Sequence, residues 1–149
     1  MTPPWWVLDT NAVLDWLVFD DPAMREPAAA LRSGGAQWAC CAPMLDELLD
    51  VVGRPEFARH ASADVLRARI SDASRAHARM FDPAPVSPLR CADPDDQMFL
   101  DLALARGASL LITRDRALLA LAPQALRLGL RITTPVALAA SKPVSDAAR

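Results

Sequence analysis

Four acidic side chains stand where the apolar pattern of the chain breaks off. Asp9 closes the run Trp5-Trp6-Val7-Leu8, and Asp115 follows Ser109-Leu110-Leu111-Ile112-Thr113. Glu47 interrupts an otherwise apolar helical margin, and Asp96 ends Asp93-Pro94-Asp95-Asp96 just before an apolar helix. Short apolar runs rich in residues that suit a pleated surface read as buried strands. In an open α/β sheet the ligand crevice lies at the carboxyl ends of the strands, so an acid there points at a site. Carboxylates gathered in one crevice repel each other and are costly unless cations neutralise them. Oxygen ligands without a histidine or cysteine pattern suit a hard ion, so the cluster reads as a site for one or two Mg2+ or Mn2+ ions. Each acid also has a structural reading. Asp9 can cap a helix beginning near Ala12. With Asp93 as N-cap and Pro94 in the first helical position, Asp96 falls where an acid favours the helix dipole and the capping network.

The elements that must position these acids alternate along the chain. A strand over 5–8 is followed by helices over 12–18 and 22–31, the second stopped by Gly34-Gly35. Residues 37–42 form the next strand, and Pro43 opens a helix through Val52 that Gly53 and Pro55 close. Ser62-Ala63-Asp64 starts a long arginine-rich helix to about Phe81, and the proline-spaced segment 82–88 is an extended connection or an edge strand. A helix over 97–105 stops at Gly107. A strand over 109–113, a short helix over 118–121, a short strand over 130–132 and a turn of helix over 135–140 complete the chain. Strands separated by helices predict an α/β fold, a single-domain three-layer α/β/α sandwich with a central, mostly parallel sheet. The domain is expected over 1–141, with 142–149 as a polar, disordered tail.

Helical phase sorts the acids. Between Pro43 and Val52, the residues Leu45, Leu48, Leu49 and Val52 form the core stripe, and Asp46 and Asp50 lie on a polar one. Glu47 shares its stripe with Met44 and Val51, where a carboxylate needs a partner. In the later helix Asp96 lies above Phe99, Leu100 and Ala103 and points inward, whereas Gln97 and Asp101 share a polar stripe and point out.

Composition narrows the class. The 149 residues suit one domain. Although 52% of them are hydrophobic, no apolar segment reaches the ~20 residues that cross a bilayer. The start MTPPWW lacks a basic region followed by an apolar stretch, so no signal peptide is expected, and the cytoplasm is the expected compartment. Cys40, Cys41 and Cys91 read as buried structural thiols. His60 and His77 are too far apart in sequence to form a motif. A net charge of −2 excludes a lysine-coated nucleic-acid binder, and Lys142 is the only lysine. Arg54, Arg59, Arg67, Arg69, Arg75 and Arg79 bias the middle of the chain positive, with Arg75 and Arg79 on one helix face. A solvated face of mixed charge is the plainer reading of that helix.

The motifs VLDTNAVLD around Asp9, LDELLDVVGRPEF around Glu47, DPDDQMFLDLALARGASLLITRD up to Asp115 and the closing TPVAL together resemble the PIN domain family. Within it they are similar to the toxin components of bacterial toxin–antitoxin systems. The resemblance covers nearly the whole chain, in order. It implies a divalent-metal-dependent endoribonuclease whose acids map onto Asp9, Glu47, Asp96 and Asp115, with Asp95 the alternative to Asp96. Asn11 and Thr113 match the family's usual polar neighbours, which would orient the acids or hold a metal-bound water. Asp9, Asp96 and Asp115 are assigned to metal binding, and Glu47 to a second ion or to accepting a proton from the attacking water. Arg114 and Arg116 flank Asp115 and are candidates for substrate phosphate, although solvated surface arginines are the plainer reading. The implied partners are single-stranded or looped RNA, a small antitoxin protein and a second copy of the chain. Trp5, Trp6 and Trp38 are expected to pack in strands rather than to stack on bases.

Three rivals are weaker. A phosphoacceptor receiver domain also gathers aspartates at strand ends, and Ser141-Lys142-Pro143 resembles its lysine–proline element, but it leaves Glu47 unexplained. A haloacid-dehalogenase-type phosphatase needs an aspartate where Asn11 stands. A catalytically inactive PIN-like module that binds a partner has no need of all four acids.

Overall fold

Strand β1 (Trp5–Leu8) forms the centre of a five-stranded parallel sheet whose order is β3-β2-β1-β4-β5. Its neighbours are β2 (Gln37–Cys41) and β4 (Leu110–Ile112), with β3 (Ala78–Phe81) and β5 (Arg131–Thr133) at the edges. The computed structural model describes residues 2–140. The expected tail 142–149 and the Ser141-Lys142-Pro143 motif lie outside the described residues. Strand order reverses at β1, which makes the carboxyl ends of β1 and β4 a topological switch point where such sheets open a ligand crevice. Leu8 sits in register with Ile112, so Asp9 and Thr113 leave the sheet side by side.

Side chains that alternate across the strands meet helices on both faces. Leu8, Trp38 and Ile112 pack with α1 (Thr10–Leu17), α2 (Arg25–Ser33), α3 (Ala42–Val51) and α4 (Ala63–His77) through Val13, Leu31, Leu48, Leu66 and Ile70. Val7, Ala39 and Leu111 pack with α5 (Gln97–Ala105), α6 (Arg116–Leu119) and α7 (Ala122–Arg127) through Phe99, Leu100, Leu118 and Ala125. A last helix, α8 (Pro135–Ala140), adds Leu138 to the first layer. The three-layer α/β/α sandwich is the architecture expected. Among the described residues no helix is long and apolar enough to cross a membrane.

Four expectations are corrected. The arginine-rich helix stops at His77, and residues expected to continue it form β3, paired with β2 from Trp38↔Ala78 to Cys41↔Phe81. Ala78, Arg79 and Met80 suit a helix locally, but pairing satisfies the β2 backbone and brings Phe81 edge-on to Trp5 at 5.3 Å, so tertiary context overrides propensity. Arg79 therefore shares no helix face with Arg75. Helix α7 was not expected at all. Asp101 does not point to solvent: it is 6% exposed and accepts the Ser87 N–H at 2.8 Å. The α5 stripe that carries it is polar because the segment before α5 folds over it.

The arginines of α4 have structural partners. Arg67 Nε donates to the Leu49 carbonyl at 3.0 Å and Arg69 Nη1 to the Leu17 carbonyl at 3.1 Å. Each cation therefore completes the C-terminal end of a helix, where it also suits the helix dipole. Gly53 makes room for this docking, since a Cβ there would lie 2.3 Å from the Arg67 guanidinium.

Candidate metal centre

Asp9 follows β1 and is 3% exposed. Its Oδ1 accepts the Ala12 N–H at 2.8 Å and caps α1, while its Oδ2 accepts the Thr113 hydroxyl. The capping role and the crevice position are therefore held by the same carboxylate. The cap also starts α1 at Thr10, two residues earlier than expected. Thr113 is fully buried after β4, and its Oγ1 accepts the Asp115 N–H at 2.9 Å. Asp115 Oδ2 in turn accepts the Leu118 N–H at 3.0 Å and caps α6. Each strand-end acid is thus aimed by the helix that follows it.

Asp96 is placed differently. It ends the 3-10 turn Pro94–Asp96, whose cap is Asp93 Oδ1 accepting the Asp95 N–H at 3.0 Å. Asp96 makes no cap bond of its own and stands half-buried against the Asp115 carboxylate, whereas Asp95 is exposed.

Burial and mutual repulsion are visible in the acidities. Asp9 is pushed up to about 6, first by burial and also by the Asp115 charge, against the hydrogen bonds from Thr113 and Ala12. Asp96 is pushed up to about 7, first by burial, then by the charge and hydrogen bond of Asp115, then by Asp93 and Asp9. These are carboxylates in want of a cation. A divalent ion suits the donor set, since Asp96, Asp115 and Cys91 present ligand atoms within 4.8 Å of one another. Thr113 would act behind them as the group that fixes ligand orientation.

Cys91 at this position was not foreseen, because no sequence spacing links it to Asp115. Its loop is fastened by α5. Cys91 N–H donates to Gln97 Oε1 at 2.7 Å, and Gln97 Nε2 donates to the Leu89 carbonyl and to Asp101 Oδ1, both at 2.8 Å.

A family model described as the PIN domain matches residues 6–117. The chain belongs to the PIN domain family. PIN domains are generally nucleases that use divalent metals. The fold is similar to that in the crystal structure of VapBC2 from Rickettsia felis bound to a DNA fragment from their promoter, with a TM-score of 0.59 at 12% identity over 87% of this chain and 98% of that one. Comparison with curated proteins gives no match.

In this PIN domain Asp9 is not part of the close group of Cys91, Asp96 and Asp115, and neither is Glu47. Glu47 is half-buried on α3 and accepts the hydroxyl of Thr10, the residue next to Asp9. Thr10 was not anticipated, and its position beside Asp9 is the signal that marks it. Asn11 is exposed on the first turn of α1. Arg114 forks onto the buried Asp15 of α1, with Nε–Oδ2 at 2.8 Å and Nη2–Oδ1 at 3.0 Å. That pairing ties the end of β4 to α1 and raises the affinity of Arg114 for its proton. Arg116 is exposed on the first turn of α6.

Proposed function

We propose that this PIN domain is a divalent-metal-dependent endoribonuclease that cuts single-stranded or looped RNA. The observation that supports the reading most is the Asp96–Asp115 pair beside Asp9, an arrangement of carboxylates that a structural role does not require. Asp9, Asp96 and Asp115 hold the ion, Mg2+ or Mn2+. When bound, the ion supplies a polarised water and offsets charge on the phosphate. Glu47, oriented by Thr10, is suited to take the proton of the attacking water as the oxygen–phosphorus bond forms. The bond to the leaving oxygen breaks in the same displacement, and that oxygen takes a proton from solvent. Thr113 keeps Asp9 and Asp115 in fixed relation. Arg116 offers an exposed fork to phosphate, while Arg114 serves as a brace through Asp15. Exposed bases of unpaired RNA give such a crevice access to the backbone that a duplex denies.

The domain is further proposed to work as the toxin of a toxin–antitoxin pair, as a homodimer in the cytoplasm, where its free cysteines suit a reducing compartment. The fold likeness to the VapBC2 complex supports that reading. An acidic crevice attracts an arginine or lysine from a small antitoxin protein, which would compete with the ion.

The test is cleavage of a pool of unstructured transcripts by purified protein with Mg2+ or with EDTA. Cleavage only with metal, lost in Asp115→Asn and kept in Asp46→Asn, is expected. A wild type that leaves the pool intact at every metal tried would favour a binding module without activity.

A further inference from the structure

We propose that the metal centre of this chain is a mixed one, in which Cys91 adds a thiolate to the carboxylates of Asp96 and Asp115. The inference rests on the reading of the crevice as a metal site and concerns which ion it selects. Sγ of Cys91 and an oxygen of each acid lie within 4.8 Å of one another. Around one tetrahedral ion the same donors would sit ~3.3–3.5 Å apart, given ordinary metal–oxygen and metal–sulfur bonds. The three atoms therefore need to close by at most ~1.5 Å to share an ion at those bond lengths.

The surroundings hold the thiol in that place. Cys91 is half-buried, and its backbone N–H is fixed to Gln97 on the first turn of α5, immediately after Asp96. Gln97 is itself fixed to Asp101 and to the Leu89 carbonyl, so the strap that carries Cys91 and the helix that follows Asp96 are one hydrogen-bonded unit. Cys40 and Cys41 differ, being buried in β2 among apolar side chains. Binding replaces the S–H bond with a sulfur–metal bond and releases the proton to solvent, leaving all oxidation states unchanged. Thiolate is a soft donor. One thiolate among the carboxylates shifts the preference of the site away from Mg2+, the hardest candidate, towards Mn2+, Co2+ or Zn2+.

The experiment uses reduced, EDTA-stripped protein titrated with Co2+ and read by absorbance and by thermal melting. Wild type should develop the near-ultraviolet thiolate-to-cobalt band to saturation at one ion per chain. Cys91→Ala should lose the band and bind Co2+ at least ~10-fold more weakly, the loss that even an outer-shell partner causes. Alkylation of Cys91 by iodoacetamide needs no variant, and saturating Co2+ should slow it ~10-fold or more if the thiolate is a ligand. Should Co2+ raise the melting temperature of wild type without the band or the protection, Cys91 is no ligand and the carboxylate site stands alone. A band that persists in Cys91→Ala places the sulfur elsewhere and overturns the proposal. Absence of any Co2+ binding by wild type overturns both this proposal and the metal reading of the crevice.

Discussion

Thr113 donates its hydroxyl to Asp9 Oδ2 across the β1–β4 pairing while accepting the Asp115 N–H at 2.9 Å. One buried hydroxyl thereby sets the distance between the acids that end two neighbouring strands. Thr113→Val keeps the shape and removes the hydroxyl, leaving Asp9 Oδ2 and the Asp115 N–H without this partner. The variant should lose about 1–3 kcal/mol of stability in urea unfolding and bind Mn2+ ~10–100-fold more weakly. Thr113→Ser should recover most of both. Equal stability and affinity in the valine variant would show that the hydroxyl does not organise the site.

The crowding of acids gives the metal-free protein an unusual pH dependence. Asp9 at about 6 and Asp96 at about 7 lie above the value near 4 of an unfolded chain. Between those limits the folded state holds protons that the unfolded state has released, so stability falls as pH rises through this window and stays low above it. In EDTA the melting temperature should therefore drop from pH 5 to pH 8. With saturating Mn2+ the trend should reverse, because the ion needs the deprotonated ligands.

Asp96→Asn isolates the repulsion, because Asp96 caps no helix whereas Asp9 does. In EDTA at pH 8 the variant should melt higher than wild type, by a few degrees for relief of about 1 kcal/mol. Its pH slope should flatten, and the rise on adding Mn2+ should shrink. A variant that melts lower than wild type under all conditions would make Asp96 a structural residue.

How far this was legible in the sequence depends on what each residue answers to. Strands β1, β2 and β4 are apolar runs bounded by turn or cap residues, and Asp9 and Asp115 sit where those runs end, so local pattern was enough. Ala78–Phe81 is a strand only because β2 needs a partner, which no local preference encodes. Asp101 accepts from Ser87 and Gln97 from Cys91 because an irregular segment is laid over α5, and periodicity carries no information about a strap without a period. Arg114 beside Asp115 reads in sequence as a solvated arginine or a ligand for phosphate, and neither reading contains an ion pair. Its partner Asp15 lies 99 positions away in sequence.

That last pairing has its own consequence. Asp15 is buried with a side chain 4% exposed, while Arg114 is half exposed, so solvent screens only one partner. Arg114→Gln should cost about 1–3 kcal/mol in urea unfolding by leaving a buried carboxylate poorly paired. Asp15→Asn in the same background should recover part of the loss. Arg116→Gln should leave stability within ~0.5 kcal/mol, as for a surface substitution, and weaken RNA binding. An Arg114→Gln variant as stable as wild type, with RNA binding lost, would return Arg114 to the substrate.

If Asp9, Asp96 and Asp115 together hold a divalent ion, calorimetric titration of Mn2+ into EDTA-stripped protein should show it without knowledge of the RNA. Wild type should bind saturably, Asp96→Asn and Asp115→Asn at least ~10-fold more weakly, and Asp46→Asn and Asp95→Asn as wild type does. No heat of binding in wild type, or equal affinity in the Asp96 and Asp115 variants, would contradict the account.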